Sequence, residues 1–306
     1  MGIPLNKESS NFTYKYSWFH LARPLTLSGT ISPVLVGTAY AAHKGIIAVD
    51  VFIVFLIAAL LIQVATNILN DYFDFKNGQD TAKWTEITHS TSWKNPRHHE
   101  LPYVASVLLA IAFLLGGWLV MQTGIWLAIV GSLGIIFGIY YSAGNFSFAS
   151  IGLGEVVAAI FLGMMTTILP YMIQGNPLDF QIILIAIPFA LIIATMILTN
   201  NIRDIIKDIG HRRTVAMLLG RKSAIQLLTL LLVSVYISLI VLVVFNIIPK
   251  MSMIGLLAIP LAIRLRFTFK KEMDAQKEMQ VMKWAAYHHW MFGLLFASVM
   301  WLVLLL

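Results

Sequence analysis

Cysteine is absent from the chain. Disulfides, thiolate metal sites and cysteine nucleophiles are therefore excluded, and the redox compartment cannot be read. Charge is also scarce. Asp, Glu, Lys and Arg make up 11% of the 306 residues, less than half the roughly one quarter found in soluble domains. That shortage excludes a surface wetted on all sides. No cleavable signal peptide is evident, because the first apolar run follows the polar stretch Met1 to Arg23 and is long enough to span.

What is present is hydrophobicity, at 59% of residues. Runs of about 20 mostly apolar residues cross a bilayer. Such runs fall at Leu25–Ala42, Val49–Asn70, Leu101–Met121, Ile125–Tyr141, Ile151–Ile173, Phe180–Asn201, Ala224–Ile248, Met251–Phe267 and Ala285–Leu306. The expected fold is all-α, a single transmembrane domain over residues 1–306 built as a bundle of nine membrane-spanning helices. Gln122-Thr123-Gly124 leaves room only for a tight turn between the third and fourth spans. Pro188 and Pro260 are expected to kink their spans.

The net charge of +7 could suggest nucleic acid, but its placement argues otherwise. With nine spans, nineteen of the 21 Lys and Arg residues fall on one side, and only Lys44 and Lys250 on the other. The positive-inside rule then puts the amino terminus and the large loops in the cytoplasm of a multi-pass cell-membrane protein, with the carboxyl terminus outside. Topology explains this bias; attraction of a phosphorylated substrate to the same face is the sharper reading. The partner read from composition is the lipid bilayer, with no nucleic acid.

Two acidic clusters carry the chemistry. The second span ends with Asn67, Asn70, Asp71 and Asp74, and the sixth with Asn200, Asn201, Arg203, Asp204, Lys207 and Asp208. Residues three, four or seven apart share a helix face. Asn67, Asp71 and Asp74 therefore line up, as do Asn200, Asp204 and Asp208. The shared Asn-x-x-x-Asp pattern, repeated 133 positions apart, reads as an internal repeat. Magnesium takes hard oxygen ligands, commonly one or two carboxylates plus substrate phosphates. Two such clusters facing one cavity could clamp a diphosphate between two metal ions. The plain alternative is that these acids solvate helix ends or pair with nearby Lys and Arg.

At these residues the chain resembles the UbiA-type intramembrane aromatic prenyltransferases. The likeness is closest to the branch that prenylates 1,4-dihydroxy-2-naphthoate in menaquinone synthesis. It rests on the run from Asn70 to Asp80, the run from Asn200 to Thr214, Arg23-Pro24 with Ser32-Pro33, and Tyr141 through Glu155. The resemblance implies a Mg²⁺-dependent transfer of a polyprenyl chain from its diphosphate to an aromatic acid. For the naphthoate acceptor it also implies loss of the carboxylate. Asn67, Asp71, Asp74, Asp204 and Asp208 would form the metal and diphosphate site. Lys76, Arg203, Lys207 and Arg213 are implied diphosphate contacts. Asp80 would position the loop or a basic partner, and Arg23 and Tyr141 are either near the reaction centre or structural. Asn70 and Asn200 belong to the substrate-binding motifs. Glu155 either orients the acceptor or is hydrogen-bonded to neighbouring helices.

The chain departs from the family pattern after Asp80, where Thr81 to His99 lacks the expected glycines. Lys94 and Arg97 could replace a phosphate contact there. His89, His98 and His99, near Glu86 and Glu100, match no ligand spacing and read as solvated loop residues. Tyr72, Phe73, Tyr140 and Tyr141 could shield a carbocation through their ring faces or serve as interface anchors. Competing readings are a transporter, whose acids would lie nearer the midplane, a binding protein without catalysis, and a same-fold enzyme acting on 4-hydroxybenzoate, haem or a chlorophyllide.

Overall fold

The computed structural model describes residues 11–87, 95–143, 147–269 and 278–305. Every apolar run coincides with helix. Helix α1 (Trp18–Ala22) and α2 (Ser28–Ala42) are joined by a 3₁₀ turn at Pro24–Leu27. Then come α3 (Val49–Lys76), α4 (Leu101–Thr123) and α5 (Trp126–Tyr140). The fifth span is α6 (Gly154–Ala158), a π-helical stretch at Ala159–Met165, and α7 (Thr166–Met172). Helix α8 (Phe180–Arg203), the short α9 (Val215–Leu219) and α10 (Arg221–Val244) follow. A 3₁₀ helix at Lys250–Ala258 leads into α11 (Ile259–Thr268), and α12 (Val281–Leu302) closes the bundle.

Seven of these segments are long and apolar enough to cross a membrane. Helix α5 is apolar but only 15 residues long. The first half of α12 carries Lys283, Tyr287, His288 and His289, which lower its hydropathy. The all-α membrane class holds, with the nine expected spans present as seven strong candidates and these two weaker helices. Helices α4 and α5 turn Phe113, Leu114, Ile125 and Ile129 outward, a surface that suits lipid and not water.

Helix α8 is the central pillar. Ile182, Ile185, Phe189, Ile192, Leu198 and Ile202 are all buried on it, and the aromatic rings of Phe189, Phe292 and Phe296 pack edge-on or tilted where α12 meets it. Without a hydrophobic drive between helices in lipid, close backbone approach supplies the packing. A Cβ on Gly37 would sit 2.0 Å from the Thr167 carbonyl oxygen, and one on Gly163 would sit 2.4 Å from Ala190 Cα. Trp290 and Trp301 donate from their indole N–H groups to the Leu25 and Leu35 carbonyls, tying α12 to the first span.

Three features differ from the sequence expectation. Helix α3 runs six residues past Asn70, so the first aspartates lie within it. Helix α8 stops at Arg203, leaving Asp204 as its cap and Asp208 in a turn. A two-stranded antiparallel sheet, β1 (Phe12–Tyr14) with β2 (Trp84–Glu86), was not legible in so short a pattern. Pro260 lies at the start of α11, where its missing N–H costs nothing, so the span changes helix type instead of kinking.

Candidate active site

Both aspartate segments lie at one end of the bundle, and ion pairs join them. Lys207 touches Asp80 from the first segment and lies 3.7 Å from Asp204 in the second. Arg212, just beyond the second segment, pairs with Asp74 on α3. Asp71 is held by Arg23 Nη2 at 2.9 Å and by Lys83 Nζ at 2.9 Å, and Lys83 also reaches Asp80 at 2.6 Å. Arg203 grips both Asp204 oxygens, at 2.7 and 2.6 Å, and the Asn200 side chain at 2.8 Å.

Backbone geometry aims two of these groups. Arg23 (φ 50°) and Asp80 (φ 53°) are non-glycine residues in the left-handed region. That conformation is costly for L-residues and is found where surrounding structure enforces it. At Arg23 it breaks the chain between α1 and the 3₁₀ turn and points the guanidinium at Asn70 Oδ1, 2.7 Å away, and at Asp71. At Asp80 it turns the chain back over the end of α3. Asn67 donates to the Ala22 carbonyl at 3.0 Å, and Asn70 to Ser142 Oγ at 2.9 Å.

A cavity of about 950 Å³ opens among these groups. Its charged head is lined by Arg23, Asn67, Asn70, Asp74, Asp80, Lys83, Asn200, Arg203, Asp204, Lys207 and Arg212, with Tyr141 beside them. The same cavity continues along Phe55, Phe113, Gly131, Gly134, Phe137, Phe161 and Met165. The π-helical stretch supplies Phe161, Leu162 and Met165 to that wall. Such bulges recur at functional sites because they re-aim side chains within a span.

The electrostatics are closely balanced. Five carboxylates (Asp71, Asp74, Asp80, Asp204, Asp208) meet five cations (Arg23, Lys83, Arg203, Lys207, Arg212). Burial works to raise the Asp80 carboxyl, but Lys83 and Lys207 outweigh it and hold Asp80 well below the usual carboxylate range. Burial pushes the Asp208 carboxyl up; Arg212 opposes that shift and Asp204 reinforces it. Asp208 is 2% exposed, and its Oδ2 has no hydrogen-bond partner.

Among the described residues, no three acidic or histidine side chains converge closely enough to hold a metal unaided. The five expected ligands therefore do not stand as a preassembled cluster. Asp74, Asp204 and Asn67 line the cavity, whereas Asp71, 1% exposed, sits behind Arg23 and Lys83. The second cluster is not a continuous helical face. Asp204 and Asp208 are linked by a single turn, with the Asp208 N–H donating to the Asp204 carbonyl at 2.9 Å.

Two expected contacts are not brought to the cavity. Lys76 leaves α3 on the far side from Asp74, exposed, with its amine over the Tyr72 ring. Two positions along a helix is about 200°, which sends the side chain away. Arg213 is exposed, and its backbone N–H is tied to the Ser150 carbonyl at 2.7 Å. Lys83 and Arg212 take part instead. Both read in the sequence as ordinary loop cations, and the cue that could have found Arg212 was its place within the second motif.

Tyr141 lines the cavity, while Tyr140 is exposed and Tyr72 stacks on His98 at 4.5 Å. Among the phenylalanines that line the cavity, Phe137 and Phe161 stack 4.5 Å apart. Glu155 accepts from Asn201 Nδ2 at 2.8 Å, while its other oxygen lacks a partner. His98 is not a solvated loop residue. It is fully buried among Tyr72, Phe75 and Trp84, with Nε2 3.2 Å from the Tyr72 carbonyl, because β2 folds its loop onto α3. His99 is exposed, and Glu100 accepts from the Arg97 N–H at 3.0 Å. His89 and Lys94 lie outside the described residues.

A charge-dense head opening into an apolar cavity inside a membrane bundle defines a protein for an amphiphilic substrate with an anionic head. The chain matches the UbiA prenyltransferase family over residues 30–294, and it belongs to that family and is a prenyltransferase. It is 32% identical to the 1,4-dihydroxy-2-naphthoate octaprenyltransferase of Bacillus subtilis (strain 168), over 90% of this chain and 89% of that one. It is 29% identical to the enzyme of the same name from Escherichia coli (strain K12), over 84% and 86%. In fold it is similar to a UbiA homologue from Archaeoglobus fulgidus solved bound to GPP and Mg²⁺. The TM-score there is 0.61, at 16% identity over 92% of this chain and 99% of that one.

Proposed function

We propose that this prenyltransferase moves a polyprenyl chain from its diphosphate to 1,4-dihydroxy-2-naphthoate, with loss of the acceptor carboxylate as CO₂, giving the hydroquinone form of a demethylmenaquinone. The single observation that carries the reading is one cavity with both aspartate segments at its head and an apolar floor. Relatives named for this acceptor, at 32% and 29% identity over most of the chain, support the acceptor class.

The residues present fit magnesium. They offer hard oxygens only, and Asp208 keeps a buried oxygen without a partner. The charge balance makes the same point: a diphosphate adds several negative charges to a head whose Arg23, Arg203 and Arg212 are already paired with carboxylates, so binding it calls for added cations. Asp74 and Asp204, with Asp208, Asp71 and Asn67 close by, are the residues that would hold them. Bound there, Mg²⁺ would neutralise charge building on the departing diphosphate.

The chain's own groups account for the rest. Arg23, Arg203, Lys207 and Arg212, which line the cavity head, present positive charge to the leaving oxygens. As the allylic C–O bond lengthens, the carbocation lies over the apolar wall, where Phe137 and Phe161 offer ring faces and exclude water. The ring carbon bearing the carboxylate attacks the cation. A new C–C bond forms, the carboxylate departs as CO₂, and its bonding pair restores the aromatic ring. Asn201, held by Glu155 at the cavity wall, is suited to orient a polar substituent of the acceptor. The aspartate end is proposed to face the cytoplasm of the cell membrane, where basic residues gather.

Purified protein in lipid, supplied with Mg²⁺, farnesyl diphosphate and carboxyl-labelled naphthoate, should release labelled CO₂ and prenylated product in equal amounts. Asp74→Asn and Asp204→Asn should each lower turnover by about 10³-fold while remaining folded. Chelation should stop the reaction and Mg²⁺ restore it. Undiminished turnover in both variants would discard the site; product that retains its label would discard the decarboxylation.

A further inference from the structure

The segment after Asp80 is where the chain leaves its family's pattern, and the fold brings Lys83 of that segment to the cavity. Asp80 turns the chain, residues Thr81–Lys83 make one 3₁₀ turn, and β2 follows at once. Strand β1 pairs with β2, Tyr14 opposite Trp84. Lys15 extends the register by donating its backbone N–H to the Lys83 carbonyl at 2.9 Å. Its amine donates to the Ala82 carbonyl at 2.8 Å. On the other side, Trp84 is buried against Tyr14, Phe75 and His98. The Lys83 backbone is thus pinned between a strand and an aromatic cluster, and its side chain lines the cavity.

Lys83 Nζ sits 2.9 Å from Asp71 and 2.6 Å from Asp80, yet each of these carboxylates already holds another cation, Arg23 and Lys207 respectively. Like Lys207, whose partners Asp80 and Asp204 are also held by Lys83 and Arg203, Lys83 is a cation both of whose partners are neutralised without it. Its side chain is about one third exposed (33%), whereas those of Asp71 and Asp80 are almost covered. A lysine ammonium is a compact charge on a flexible stem, so it can change partner while its Cα stays fixed.

We propose that Lys83 binds the diphosphate of the prenyl donor, and that strand β1 is the element that positions it. The inference rests on the prenyl-diphosphate reading of this cavity and adds a residue and an element to it. A residue of the amino-terminal segment, Lys15, thereby becomes part of the substrate-binding apparatus, as a positioning residue.

Inorganic pyrophosphate is the probe, because it carries the recognised group without the tail. Inhibition of turnover by pyrophosphate should weaken at least about tenfold in Lys83→Gln and recover in Lys83→Arg, as expected for a lost charge-assisted contact. Lys15→Pro, which removes both the N–H and the amine that hold residues 82 and 83, should weaken inhibition in the same way. The KM for the aromatic acceptor should stay unchanged in all three. A variant-free check uses acylation of lysines in the wild-type protein, read by mass spectrometry. With Mg²⁺ present, pyrophosphate should protect Lys83 and leave Lys76 as reactive as before. Equal modification of Lys83 with and without pyrophosphate, in protein whose turnover pyrophosphate inhibits, overturns the assignment alone. A wild-type protein that neither turns over farnesyl diphosphate nor binds pyrophosphate overturns the functional reading, and this inference with it.

Discussion

Around the aspartates, which cations join the ion-pair network and which stand outside it is a matter of where a side chain leaves its helix or turn. Arg212 and Arg213 are adjacent in sequence, yet Arg212 reaches Asp74 across the cavity while Arg213 faces out beside Ser150. Removing one member of a buried pair strands the other's charge, at a cost of about 3–5 kcal/mol. Arg212→Gln is therefore expected to lower both the melting temperature and the turnover, the latter by about 10²-fold. Arg213→Gln and Lys76→Gln, at exposed positions, should keep turnover within about twofold. Steady-state rates and melting curves of the three variants in one detergent check the contrast. Equal losses in Arg212→Gln and Arg213→Gln would mean that the ion-pair geometry does not govern the site.

Helices here use glycine for two opposite purposes. At Gly163 the π-helical stretch lies so close to α8 that a Cβ would fall 2.4 Å from the Ala190 Cα. That neighbour is backbone and cannot rotate away. Gly163→Ala should push the helices apart and cost about 1–3 kcal/mol, read as a lower melting temperature. At Gly134 on α5, which lines the cavity, an added Cβ meets nothing within 4 Å. Gly134→Leu should leave the melting temperature nearly unchanged and instead fill the space along the apolar wall. The expected outcome is a preference for shorter prenyl diphosphates, measured by competing geranyl against longer donors. A drop in stability without a change in chain preference would place Gly134 in packing and not in substrate selection. The strand pair belongs to the same scale: two segments of three residues each carry the loop that holds Lys83.

For the whole molecule, the arrangement solves the problem of a substrate that is salt-like at one end and oil-like along the rest. Charge is concentrated at one end of the bundle, and the cavity that begins there continues between apolar helices. Arg23, Lys83, Arg203, Lys207 and Arg212 all stand at that end. Reporter fusions are expected to place the amino terminus and the 204–220 segment in the cytoplasm and the carboxyl terminus outside. A reporter at the carboxyl terminus that is active only in the cytoplasm would reverse that orientation or remove a span.

The sequence by itself determined the helical class, the positions of the apolar spans and the two aspartate segments. Those features depend on local composition and spacing: an apolar run long enough to cross a bilayer declares itself residue by residue, and Asn-x-x-x-Asp repeats are visible without any partner. Only the tertiary structure decided which charges meet. Lys83 and Arg212 reach Asp71, Asp80 and Asp74 across large gaps in sequence or across a turn, and nothing local distinguishes them from Lys76 or Arg213. The burial of His98, the pairing of β1 with β2 and the exposure of Phe137 and Phe161 to the cavity depend likewise on which surfaces come together. Periodicity names the face of a helix; packing alone decides what that face meets.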